Sequence, residues 1–135
     1  MRNTRVRILP CLFALIVVAG CRDGTAPVDG ALYRVETSSE HFHVLVRDSA
    51  TIADIESRLA ADSWHGIVNG ELARGDGGFN QPWSWHMIPE TVEIADFTIE
   101  LCDGQPSLVE ADLDYWIDTV GRYCPWGGEV VERVD

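Results

Sequence analysis

Two tryptophans and a histidine within four positions, Trp83-Ser84-Trp85-His86, form the most unusual chemistry-bearing cluster in the chain. In an extended strand Trp83 and Trp85 point to one face and Ser84 and His86 to the other. Two indoles beside an imidazole can make an aromatic platform for a sugar or a peptide, with His86 as its polar handle. The same pair can instead cap a small core, which is the more economical role for neighbouring tryptophans. Catalysis asks for more. His86 with Glu100 or Asp103 could serve as an acid–base pair, but no Gly-x-Ser-x-Gly and no other recognisable nucleophile accompanies it. A hydrolase-type enzyme built on His86 is therefore the third-ranked reading.

The remaining polar clusters are weaker. His41 and His43 share a strand face at a spacing that could hold Zn²⁺ or Cu²⁺ with a third ligand, yet no Cys or further His lies near them in sequence. Asp112, Asp114 and Asp118 lack the loop and glycine of an EF-hand and fall on an expected helix, so they read as a solvated acidic face rather than a Ca²⁺ site. Arg74-Gly75-Asp76 matches a three-residue integrin-recognition motif, a length that recurs by chance. No metal and no cofactor is expected.

Cysteines carry a clearer signal. Arg2, Arg5 and Arg7 precede a short apolar run, Cys11 to Ala19, that ends in Val18-Ala19-Gly20-Cys21. The run is too short to span a hydrocarbon core of ~30 Å, and its ending has the form of a bacterial lipobox, in which the Cys thiol accepts diacylglycerol before cleavage. Residues 1–20 thus read as a lipoprotein signal peptide, and 21–30 as lipidated Cys21 followed by a Gly- and Pro-containing tether with a reach of roughly 15–18 Å. Cys11 leaves with the signal and Cys21 carries lipid. Cys102 and Cys124 remain, and two thiols in an exported chain most simply form a structural disulfide.

Composition excludes several classes. With 135 residues, 46% apolar and 24% charged, the chain supports one domain and is not disordered. All ten basic residues are Arg, against 22 Asp and Glu, and from Cys21 onward the balance is −15. So acidic a surface repels phosphate backbones, which argues against nucleic-acid binding.

A single domain over residues 31–135 must position these groups. Alternation predicts strands at Leu32–Thr37 and His41–Arg47 around a Ser38-Ser39-Glu40 turn, with Phe42, Val44 and Val46 in the core. The period then changes. Ser49–Ser63 reads as a helix with Ile52, Ile55 and Leu59 on one face, Asp48 as N-cap and acidic residues early in the helix. A strand at Ile67–Ala73 and a loop over 75–82 follow. Trp83–Leu101 is β-like but changes phase, so a bulge near Ala95-Asp96 is expected to return Phe97, Ile99 and Leu101 to the core beside Val92 and Ile94. Pro106–Val120 reads as a second helix with Val109, Leu113, Trp116 and Val120 inward and Gly121 as its stop. Glu129–Val134 is a last strand. The order β-β-α-β-β-α-β indicates an α+β fold, a mostly antiparallel sheet with two covering helices and one disulfide.

The ordered set Pro82-Trp83-Ser84-Trp85-His86, Pro89, Ile99-Glu100-Leu101-Cys102-Asp103, Val109-Glu110, Leu113 and Tyr123-Cys124-Pro125-Trp126 resembles a known family. It is the small domain at the N-terminus of a slime-mould calmodulin-binding protein, also found in secreted bacterial proteins described as calmodulin-binding-protein-related. The resemblance extends over about residues 41–134 and is strongest from Pro82 to Trp126. It implies the fold and the disulfide and brings no catalytic signature. Met87-Ile88-Pro89 departs from the family's usual Leu-Asp-Pro, and Gly121-Arg122-Tyr123 shortens its Gly-rich segment.

The expected molecule is a lipid-anchored, monomeric, non-catalytic binding domain outside the cytoplasmic membrane of a bacterium. In a cell with two membranes the outer one is favoured, because Arg22 rather than Asp follows Cys21. Its expected ligand is a protein, peptide or envelope glycan, with Trp83, Trp85, His86 and Trp126 as the binding surface; calmodulin is not expected to reach it. The alternative is a small protease inhibitor presenting the Arg74–Asn80 loop.

Overall fold

The structure, a computed structural model, describes residues 29–135. The expected signal segment, Cys21 and most of the expected tether lie outside the described residues.

The first two strands form where alternation places them. β1 (Ala31–Glu36) and β2 (His41–Val46) pair antiparallel from Ala31↔Val46 to Glu36↔His41. Ala31, Tyr33 and Val35 of one strand and Phe42, Val44 and Val46 of the other are all buried. Asp48 then stops the sheet and starts α1 (Ser49–Ala60). Its carboxylate accepts the Thr51 backbone N–H at 2.7 Å and the Thr51 hydroxyl at 2.8 Å, which also holds its pKa below the ordinary value. The cap is the only acid at this end, since the first turn holds none. α1 stops at Ala60, short of Ser63, as Asp62 enters a left-handed conformation with φ 48°.

Two sheets form rather than one. A last strand, β7 (Glu129–Arg133), joins β1 on the side away from β2, giving the order β2-β1-β7. The second sheet is organised around β3 (Ile67–Arg74). β4 (Trp85–Met87) pairs with its C-terminal end and β5 (Glu93–Ala95) with its N-terminal end. β6 (Arg122–Tyr123), a strand that alternation does not announce, pairs at Gly70 and Glu71.

The expected strand over Trp83–Leu101 is corrected here. β4 and β5 are separated by a 3₁₀ turn at Pro89–Thr91, so the break comes well before Ala95-Asp96. Pro89 cannot donate to a ladder. The Thr91 hydroxyl takes over, donating to the Ile88 carbonyl at 2.8 Å and accepting the Glu71 N–H at 2.9 Å. Beyond Ala95 the chain has no β3 partner left, because β3 begins at Ile67 opposite Ala95. It leaves the sheet, and Phe97, Ile99 and Leu101 are 85%, 67% and 54% exposed instead of joining the core.

The second helix is also interrupted. α2 covers Pro106–Ala111, and Asp112 departs from helical geometry at φ −148°, ψ 72°. Its side chain accepts the Tyr115 N–H at 3.1 Å, the competition with the backbone that makes Asp a helix starter rather than a helix interior residue. A wide π-type turn at Tyr115–Val120 follows, and Gly121 ends it at φ 76°. The inward face survives the break: Val109 and Trp116 are buried, and Leu113 and Val120 pack against the core.

The result is an α+β domain, mostly sheet, with one core shared by both sheets. Tyr123 is its aromatic hub, with ring centroids 5.3 Å from Trp85, 5.4 Å from Phe42 and 5.9 Å from Trp116. Cys102 and Cys124 form the expected disulfide, with Cα atoms 5.1 Å apart, and the Cys124 N–H donates to the Cys102 carbonyl at 2.8 Å. The bridge ties the segment after β5 to the end of β6.

Candidate functional site

The aromatic cluster divides between interior and surface. Trp85 is fully buried and has no surface to offer a ligand. Trp83 lies 6.2 Å from it, ring to ring, and is half-buried, its indole N–H donating to the His41 carbonyl at 2.9 Å. The pair thus closes the core over β2. Trp126, 47% exposed, belongs elsewhere. Its backbone N–H donates to Asp103 at 2.8 Å and its indole N–H to the Thr98 hydroxyl at 2.7 Å. Among the described residues Trp126 forms no aromatic pair, so the structure does not join it to Trp83 and Trp85.

His86 faces its own loop. Its Nδ1 lies 2.7 Å from the Gly75 carbonyl, and its ring meets Phe79 edge-on at 5.6 Å. A β-carbon at Gly77, where φ is 64°, would come within 2.9 Å of the imidazole, so only glycine lets the loop close over it. Neither Glu100 nor Asp103 forms a hydrogen bond or ion pair with His86, and Asp103 is occupied with Gly104 and Trp126.

The Arg74–Asn80 loop is braced by its own hydrogen bonds, with Arg74, Gly75, Gly77 and Gly78 exposed and Asn80 buried. Asp76 accepts the Gly78 N–H at 2.9 Å, which lowers its pKa, and its carbonyl takes the N–H of Asn80 at 2.9 Å. Arg74 lies 2.9 Å from Asp114 and 2.7 Å from Asp118, so two of the three aspartates read as a solvated acidic face hold this arginine. His41 and His43 meet at 5.9 Å between ring centroids; burial, and then the neighbouring His41, lower the His43 pKa. Among the described residues no group of three or more His, Cys, Asp or Glu is arranged to hold a metal ion.

The surface that stands out is one that alternation assigns to the core. Phe97 and Ile99 wall a cavity of about 280 Å³ whose other walls include Val120, Arg122 and the bridged Cys102. Trp126 is fixed beside it through Thr98. Below the roughly 300–1,000 Å³ usual for small-molecule pockets, this space suits one apolar side chain better than a cofactor. Arg122 at its edge is already engaged, donating to Asn69 at 3.1 Å and lying 3.4 Å from Glu93 and 3.7 Å from Glu71. No signal in the sequence marks this surface, because Phe97 to Leu101 fall outside the ladder only through where β3 begins, at Ile67 opposite Ala95.

No curated protein and no solved structure matches the chain. One family model does, over residues 29–135, which is the whole of the described body, and the chain belongs to the family of the calmodulin-binding protein 74 N-terminal domain.

Proposed function

We propose that this chain is a non-catalytic binding domain, carried outside the cytoplasmic membrane on a lipidated Cys21, that captures its partner on the surface formed by Phe97, Ile99, Leu101 and Trp126. The observation that carries the reading is the exposure of Phe97, Ile99 and Leu101 on one short segment that the disulfide at Cys102 anchors at its end. Exposed apolar side chains gathered at one place mark interaction sites on soluble domains, and aromatic residues dominate binding energy there. Membership of this N-terminal domain family fits an interaction role. The exposure of Trp126 supports a binding role for that side chain, whereas Trp83 and Trp85 serve the core.

The test is a pair of variants. Phe97→Ser with Ile99→Ser should keep the melting temperature and lose capture from a cell-envelope extract, while Trp83→Ala should lower the melting temperature. Retained capture by the Phe97/Ile99 variant would reject the surface. Fatty-acid labelling of the wild type and of Cys21→Ser tests the anchor separately, and equal labelling would reject it.

A further inference from the structure

Charge decides what can sit on this surface. Residues 87–121 contain nine Asp and Glu and no basic residue at all. Nearby cations neutralise only some of them: Arg47 pairs with Glu90, Arg122 with Glu93, and Arg74 with Asp114 and Asp118. Asp96 and Glu100, interleaved with Phe97, Ile99 and Leu101, are exposed and have no cationic partner among the described residues. Asp103, beside Trp126, accepts only backbone N–H groups. The apolar side chains are therefore set among unneutralised carboxylates.

That composition selects among occupants. A second copy would bring the same carboxylates against themselves, and like charges facing across an interface cost several kcal/mol. An anionic bilayer surface would be repelled in the same way. A segment that alternates apolar and basic side chains satisfies both features at once. Resting on the reading above, we infer that the partner is a cationic amphipathic peptide segment. It places one large apolar side chain in the cavity between Phe97 and Val120 and directs Arg or Lys toward Asp96, Glu100 and Asp103.

The full chain in a non-ionic detergent is titrated with three fluorescent peptides of equal length, pairing leucine with arginine, leucine with glutamate, and serine with arginine. Anisotropy is read against the Phe97→Ser/Ile99→Ser variant, which corrects for partition into micelles. The inference expects the leucine–arginine peptide to bind at least tenfold more tightly than either control. That binding should weaken with added salt and fall at least tenfold in the variant. In Asp96→Asn/Glu100→Gln the preference for arginine over glutamate should shrink while the apolar contact persists. Equal affinity for the two leucine peptides, with loss in the Phe97/Ile99 variant, overturns the cationic partner but leaves the surface standing. Binding of the leucine–arginine peptide that survives in the Phe97/Ile99 variant overturns the surface itself. A dimer that this variant abolishes, or flotation with neutral phosphatidylcholine vesicles that it abolishes, also overturns the inference, by naming another occupant.

Discussion

The buried carboxamide of Asn80 donates to the Trp85 carbonyl at 2.8 Å while its oxygen accepts the His43 backbone N–H at 2.7 Å. One polar side chain thereby joins the end of the Gly-rich loop to both β4 and β2, which belong to different sheets. The His86 environment and the position of the Trp83–Trp85 pair both follow from that junction.

Removing the junction should be strongly destabilising. Asn80→Ala leaves a buried N–H and a buried carbonyl unpaired, so a loss of about 1–3 kcal/mol is expected, read from the denaturant midpoint. Asn80→Asp restores the acceptor, and restores the donor only when protonated. Its deficit relative to wild type should therefore shrink as pH falls, and a pH-independent deficit would contradict the role assigned to the amide.

The disulfide should matter on the same scale. Replacing Cys102 and Cys124 by Ala frees the segment after β5 from β6 and should cost about 2–5 kcal/mol, the usual range for a native disulfide in a small domain. Native protein with two alkylatable thiols would show that the bridge is absent.

Alkaline pH gives a third check. Burial, first of all causes, raises the pKa of both Tyr33 and Tyr123 well above the ordinary 10.0. At pH above about 10 the unfolded chain releases these protons and the folded chain keeps them, so the unfolded state binds fewer protons and stability falls as pH rises. Their contribution is fully present below a pH of about 10. In Tyr123→Phe the slope of stability against pH above that point should be shallower than in wild type, measured by unfolding at several alkaline pH values. An unchanged slope would mean that Tyr123 already ionises in the fold.

Period and capping chemistry made much of this architecture legible. Phe42, Val44 and Val46 alternate, Ile52, Ile55 and Leu59 recur at helical spacing, and Asp48 stands where a helix must start, so each local signal agreed with the tertiary outcome. The segment from Trp83 to Leu101 shows where that logic stops. Alternation tells which face a residue takes if the strand continues, but not whether a partner strand is still there. β3 runs out opposite Ala95, a fact set by tertiary pairing, and every residue from Asp96 to Leu101 therefore lies outside the ladder. Trp83 and Trp85 left two roles open for the converse reason, because aromatic residues suited to a ligand are equally suited to a core. The candidate surface emerged from Phe97, Ile99 and Leu101, which hydrophobicity alone assigns to the interior.

Indoles in different settings allow a last prediction that separates core from surface. Trp85 is fully buried among Phe42, Trp83 and Tyr123, and Trp116 is nearly so. Truncating either to Ala removes packed area and leaves a cavity between two sheets that cannot collapse freely, so each should cost about 3–5 kcal/mol. Trp126 is 47% exposed and keeps one indole hydrogen bond, to Thr98. Trp126→Ala should cost only about 1 kcal/mol, the worth of one hydrogen bond and part of a ring. Urea midpoints for the three variants would order them, and intrinsic fluorescence adds an independent readout. Loss of a buried indole should change the emission of the folded state, whereas loss of Trp126 should mainly remove the component that a soluble quencher reaches. If Trp126→Ala proved as destabilising as Trp85→Ala, the ring beside Phe97 and Ile99 would be part of the core, and the binding surface would lose its aromatic anchor.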